Sequence, residues 1–307
     1  MKKSIKLFSL ISLLFFAADR IVYNTISSID KQVFTGQTGG KVNQFLTLKD
    51  SVNLLVFGNS RASHHLDTKL LDSISYNAGA DGSRIGYSTA LVSVLEKKEQ
   101  TILVHIDHWD IYDSEYKGKD VLSFLSLASK NEDISRFISE IHPKEIYTSK
   151  IFNCYVYNGK FLSLLKNYFS PKYDVNHYYG YDPLTPNQEQ KEIFKKLIDK
   201  TDFKNFNYSD SISILPNPIV DSFIEKIKVK CKKNNSKLVF FTSPTLKNNQ
   251  EGLLLKTKEY FNSKGVIYYD YSKFIDISDV SNWQDFTHMS EKGANLFTKK
   301  IKEDILN

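Results

Sequence analysis

Apolar positions in this chain follow two rhythms. Short unbroken runs at 53–57, 74–77, 101–106, 237–242 and 265–270 each end in, or run into, Gly, Asn, Asp or Ser. Runs of that length with no polar alternation read as strands buried on both faces. Between them the spacing changes to the helical period. Residues 84–98 place Ile85, Ala90, Leu91, Val94 and Leu95 on one stripe, and 66–71, 219–232 and 250–263 read as further helices. Ser290 stands where an N-cap belongs, ahead of a last helix through Ala294, Phe297 and Ile301. Strands alternating with helices in this way predict βαβ units. The expected fold is α/β, a three-layer α/β/α sandwich with a mainly parallel sheet of about five strands.

The rhythm breaks between about 115 and 215. Helical stretches are expected there at 121–128, 134–141, 151–168 and 188–198, together with an aromatic, turn-rich patch, His177-Tyr178-Tyr179-Gly180-Tyr181-Asp182-Pro183. Some hundred residues exceed a simple crossover, so this stretch is expected to be a helical insertion capping the carboxyl edge of the sheet. The tyrosines suit stacking on sugar rings, and equally suit packing in the core of the cap.

The amino terminus has a third pattern. Lys2, Lys3 and Lys6 precede an apolar run over 7–18 that Asp19-Arg20 closes. This is the charged and apolar sequence of an export signal. Phe16, two before Ala18, makes a poor cleavage site, so residues 1–23 are read as an uncleaved signal anchor. A cleaved signal or a buried helix are the alternatives. The positive-inside rule then places the remainder outside the cytoplasm, on a single-pass anchor in the cytoplasmic membrane. Residues 24–50, with Gly36, Gly39 and Gly40, read as a connector to a domain spanning 51–307.

Composition changes little of this. Hydrophobic residues at 41% and charged residues at 25% are ordinary for a globular chain. The net charge of +6 is spread out, and its densest run, 226–233, reads as the solvated face of a helix. With no zinc-finger spacing or RNA-binding signature, no nucleic-acid partner is expected. Cys154 and Cys231 form no CxxC pair.

Candidate chemistry sits at the strand ends. Gly58-Asn59-Ser60 follows the first strand, where open α/β sheets bind ligands, and Gly58 permits a tight turn that exposes the Ser60 hydroxyl. A serine in a structural turn is the plain alternative. Asp285 and His288 stand three apart in a loop, a spacing that lets the carboxylate take the Nδ1 proton and leaves Nε2 as a base. A capping Asp beside a surface His is the plain alternative here. His105-Ile106-Asp107-His108-Trp109-Asp110 ends the third strand and is open to three readings: metal ligation, pocket lining or structural hydrogen bonding. His64 and His65 read as loop histidines or pocket contacts. Arg61 reads as a salt-bridged arginine or a contact to an anionic substrate group.

Taken together, Gly58-Asn59-Ser60, Asn77-Ala78-Gly79 and Asp285-Phe286-Thr287-His288, the last followed by Met289-Ser290 and Gly293-Ala294, resemble the first, second and last sequence blocks of the SGNH (GDSL-like) hydrolase superfamily. The similarity covers about 50–110 and 219–305, and is to the membrane-anchored bacterial branch of polysaccharide O-acetyltransferases and a teichoic-acid alanylation protein. Asn59 stands where Asp is usual, and His105 to Asp110 replace the Gly-x-Asn-Asp of the third block. The resemblance implies a flavodoxin-like fold of SGNH type and a serine-dependent esterase or O-acyltransferase. Ser60 would be the nucleophile, His288 the general base and Asp285 its orienting partner, with the N–H groups of Ser60 and Gly79 as oxyanion hole. Asn59, Arg61, Asn77, Asp107 and His108 would line the substrate site. No cofactor or metal is implied. The substrate would be an acyl, most simply acetyl, ester of a cell-surface glycan, and a multispanning acyl-exporting membrane protein is the implied partner. Two rival readings remain: a metal-dependent hydrolase built on His105, Asp107 and His108, and a non-catalytic binding or assembly protein of the cell envelope.

Overall fold

The computed structural model describes residues 2–172, 178–201, 213, 215–246, 251–275 and 279–306. The chain divides into two compact units, one of residues 1–44 and 121–174, the other of 45–120 and 175–307. Its described α-helices begin with α1 (Lys2–Asp30), α2 (Lys41–Leu48), α3 (Ser60–His65), α4 (Thr68–Leu71), α5 (Ile85–Ser93) and α6 (His108–Tyr112). Then come α7 (Leu125–Ala128), α8 (Glu132–Ile141), α9 (Pro143–Ile151) and α10 (Phe161–Phe169). The last four are α11 (Gln188–Lys200), α12 (Pro218–Lys233), α13 (Glu251–Lys264) and α14 (Glu291–Ile301).

The larger unit is α/β. Its strands are β1 (Leu54–Phe57), β2 (Ser75–Asn77), β3 (Thr101–His105), β4 (Lys237–Thr242) and β5 (Ile267–Asp270). All pair in parallel, in the order β2-β1-β3-β4-β5. Strand side chains alternate between faces, and both faces are covered. Leu54, Val56, Leu103, Val239 and Phe241 share a core with Ala62 and Leu66 and with Ala294, Phe297 and Ile301 of α14. On the opposite face Phe57 meets Phe45 with ring centres 5.8 Å apart, and Phe240 meets Phe261 of α13 at 4.9 Å. Helices on both faces are consistent with a three-layer α/β/α sandwich. The chain leaves β1 outward to β2, then crosses back to β3 on the other side. The carboxyl ends of β1 and β3 are therefore the switch point at which such sheets bind ligands.

The smaller unit is helical. Helix α1 continues through 24–30, and Asp19 and Arg20, which read from the sequence as the end of an apolar run, have local tasks there. The Asp19 carboxylate accepts the N–H groups of Asn153 (2.8 Å) and Cys154 (3.0 Å), while Arg20 pairs with Asp19 and donates to the Ile151 carbonyl at 3.3 Å. Phe152 stacks on Phe16 at 5.7 Å and meets Phe15 edge-on. These contacts divide the expected insertion. Its residues 121–174 pack with the amino-terminal residues, and the remainder, from 175 onward, belongs to the sheet unit. The single helix expected over 151–168 is interrupted by a 3-10 turn, Asn153–Tyr157, and by Gly159, whose φ of +75° is a helix-ending conformation. Residues 202–212 of the expected insertion lie outside the described residues. Much of the apolar surface of α1 stays exposed, including Phe8 and Leu13. Among the described residues, no helix is both long and apolar enough to cross a membrane.

Candidate active site

Ser60 opens a helix rather than a loop. β1 ends at Phe57, Gly58 turns the chain at φ +142°, and Asn59 caps α3 by accepting the Arg61 N–H at 2.9 Å. Nothing but glycine fits at the turn, since a Cβ on Gly58 would lie 2.6 Å from Cβ of His105 on the neighbouring strand. As first residue of α3, Ser60 has an N–H that precedes the helical ladder.

His288 comes from a tight loop ahead of α14. Trp283 and Met289 form an antiparallel bridge, and the His288 carbonyl accepts the Gln284 N–H at 2.9 Å. Within this loop, Asp285 Oδ1 accepts the N–H groups of Thr287 (2.7 Å) and His288 (2.9 Å) and the Thr287 hydroxyl (2.9 Å). The other carboxylate oxygen, Oδ2, lies 2.8 Å from His288 Nδ1. An ionised carboxylate only accepts, so Nδ1 carries the proton and Nε2 is the acceptor. That Nε2 lies 2.8 Å from Ser60 Oγ. Desolvation alone would raise the Asp285 carboxyl, but the bonds from His288 and Thr287 outweigh it and hold it well below the usual carboxylate range. The result is a continuous chain from a serine hydroxyl through an imidazole to a carboxylate. Ser60, Asp285 and His288 are all partly exposed at its surface.

The other expected site residues are placed differently. Gly79 lies close under α3, where a Cβ would meet Ser63 N at 2.7 Å, but its N–H donates to Asn77 Oδ1 at 2.9 Å. Of the two expected oxyanion donors, that of Gly79 is thus taken by an internal acceptor. Asn77 is fully buried, and its Nδ2 donates to the carbonyls of Ala62 (2.7 Å) and Leu66 (2.9 Å). It ties β2 to α3, with its side-chain amide spent on backbone groups. Asp107 accepts from Asn59 Nδ2 at 2.9 Å and pairs with Arg61, whose guanidinium also reaches the Ser243 carbonyl at 3.3 Å. Asn59, Arg61 and Asp107 therefore tie the carboxyl ends of β1 and β3 together, and of the three only Asn59 is not buried. His108 is buried and faces Asp270 (Nε2 to Oδ1, 3.4 Å) and the Tyr268 hydroxyl (Nδ1, 3.3 Å).

His105 points instead at Ser243 Oγ, 3.1 Å from its Nε2, and lies 4.0 Å from Asp107 Oδ1. The imidazoles of His105 and His108 are thus spent on different partners. Among the described residues, no group of three or more His, Cys, Asp or Glu is arranged to hold a metal ion. Asp110 pairs with Arg84 at 2.5 Å. Tyr181 is buried in the core, and the Tyr179 carbonyl accepts the Asn77 N–H at 2.9 Å. His177 lies outside the described residues.

Two residues read as loop histidines become prominent. His64 is four residues after Ser60 on α3, and its ring centre is 5.5 Å from that of His288. Its Nε2 meets Asp81 Oδ1 at 3.0 Å and its Nδ1 meets the Asp182 carbonyl at 2.6 Å. His65 is fully buried with its ring centre 6.2 Å from His288. The signal for His64 was its i, i+4 spacing from Ser60, which acquires meaning only once 60–65 is known to be helical.

No protein-family model matches the chain, and no curated protein matches it either.

Proposed function

We propose that this protein is a serine-dependent esterase or O-acyltransferase of SGNH type, with a flavodoxin-like sheet and a Ser60–His288–Asp285 triad. The observation that carries the reading is the pair of 2.8 Å contacts joining Ser60 Oγ to His288 Nε2 and His288 Nδ1 to Asp285. The position of Ser60 at the switch point of the sheet supports it as well.

In this mechanism His288 Nε2 takes the Ser60 proton as Oγ attacks the acyl carbonyl, and Asp285 stabilises the imidazolium. The tetrahedral intermediate collapses with cleavage of the ester C–O bond, and His288 returns the proton to the departing alkoxide. Water or a sugar hydroxyl then gives its proton to His288 and attacks the acyl-enzyme, and Ser60 leaves with its proton restored. The Ser60 N–H is the donor nearest to hand for the oxyanion. Asp107, in the segment that stands in for the third block, is a carboxylate paired with Arg61.

The proposed substrate is an acyl, most simply acetyl, ester of a cell-surface glycan. The protein would be held at the cytoplasmic membrane by its amino-terminal segment, with the catalytic unit on the extracytoplasmic side and an acyl-exporting membrane protein as partner. The exposed apolar residues of α1 and the lysines at 2, 3 and 6 support the membrane part of this reading. A serine-directed fluorophosphonate tests the chemistry. Wild-type protein is expected to be labelled at Ser60, and Ser60→Ala and His288→Ala to lose labelling. Labelling that persists in both variants, or is absent from wild type, refutes the triad.

A further inference from the structure

His65 makes a hydrogen bond that the catalytic reading does not require. Its Nε2 accepts the N–H of Met289, the residue after His288, at 3.0 Å. An N–H can only donate, so Nε2 is unprotonated and the ring proton sits on Nδ1. Nδ1 then donates to Ser243 Oγ at 3.0 Å, and the Ser243 hydroxyl is left to donate to His105 Nε2 at 3.1 Å. Each donor in this row, from Met289 through His65 and Ser243 to His105, has one acceptor. Every member is buried, so the row is shielded from competing water.

We infer that His65 is a positioning residue, which holds the loop carrying His288 in register with the helix carrying Ser60 by accepting the Met289 N–H. This rests on the triad proposed above. The geometry is economical: α3 presents the nucleophile at its first residue and the strut at its last. The loop that bears the base is otherwise held by its own bonds and by the Leu246 N–H (2.9 Å) and the Thr245 hydroxyl (3.2 Å), which donate to the Phe286 carbonyl from the chain after β4; none of these bonds reaches α3. Burial, with Arg61 and the neighbouring histidines, keeps the His65 imidazole well below the ordinary histidine range and therefore neutral, as the acceptor role needs. A misplacement of the base by about 1 Å costs on the order of 100-fold in rate.

The test compares His65→Phe, which keeps a planar ring without the acceptor, with His65→Gln, whose side-chain oxygen restores one. Hydrolysis of p-nitrophenyl acetate and the rate of fluorophosphonate labelling are measured on the full chain, with thermal melting in parallel. His65→Phe is expected to lose about 100-fold in kcat with KM within about twofold, and to slow labelling in proportion. His65→Gln is expected to recover at least a tenth of wild-type kcat. Should His65→Phe fail to fold, Ser243→Ala is read in its place. It leaves the ring unoriented, and the same split of lowered kcat at constant KM is expected. Wild-type rates in His65→Phe (or in Ser243→Ala, where that variant is read), or no recovery in His65→Gln, overturn the inference while leaving the triad intact. Wild-type protein that is not labelled at Ser60 overturns both.

Discussion

His64 lies between two groups that can only accept, the Asp81 carboxylate and the Asp182 carbonyl, so both of its nitrogens must donate and the ring is an imidazolium. Burial works against that charge, but Asp81 outweighs it and the pKa is raised above 6.5. The sign of the consequence follows from linkage: a group with a raised folded pKa adds stability that is fully present below its unfolded value and is lost as pH rises through the folded one. Stability measured by urea unfolding should therefore decline as pH rises above about 6.5 and through the raised folded value. His64→Gln, which cannot be charged, should flatten that part of the profile, and an unchanged slope would refute the assignment. Asp285 carries the opposite sign. Its folded pKa is depressed, so its contribution is present above the unfolded carboxylate value and is lost as pH falls below it. Asp285→Asn leaves the loop's hydrogen-bond acceptor but no longer fixes the tautomer of His288. Esterase kcat should drop by about three to four orders of magnitude, with KM little changed.

The turn from β1 into α3 sets the position of Ser60, the proposed nucleophile. Gly58→Ala places a methyl group against His105 at a φ of +142°, and the backbone conformation alone should cost about 1–3 kcal/mol in urea unfolding. Elements of this kind were unevenly legible in the sequence. β4 falls over 237–242 as expected, because a strand buried among neighbours is apolar throughout. α3 was not legible: six residues with two histidines and an arginine have no apolar stripe, and their helicity comes from the Asn59 cap and the packing of Ala62 and Leu66 below the sheet. The spacing of Asp285 and His288 could be read because both partners lie within one loop. The inward turn of Asn77 and the engagement of the Gly79 N–H could not, since a polar side chain at a strand end looks the same whether it faces substrate or its own backbone. The division of the stretch after 115 escaped for a similar reason: Asn153 finds Asp19, and Phe152 finds Phe16, across more than a hundred residues.

At the scale of the molecule, α1 gives one unit an exposed apolar surface, with Leu7, Phe8, Leu10, Leu13 and Leu14 all open and lysines at the start. If that surface meets lipid, full-length protein should sediment with vesicles containing anionic lipid, and Leu10→Asp with Leu13→Asp should release it. Retention of the double variant on vesicles would refute this use of α1. The sheet unit has a different large-scale property. Ser60 and His288 are 228 positions apart, and the bond between them requires β3, β4 and α14 to be in place. Because a ribosome delivers Ser60 well ahead of His288, a growing chain holds an ordinary, unactivated alcohol while the 228 residues that follow are added. On the proposed triad, reactivity arrives only with the loop that bears His288, so the order of translation itself acts as a safety catch on Ser60.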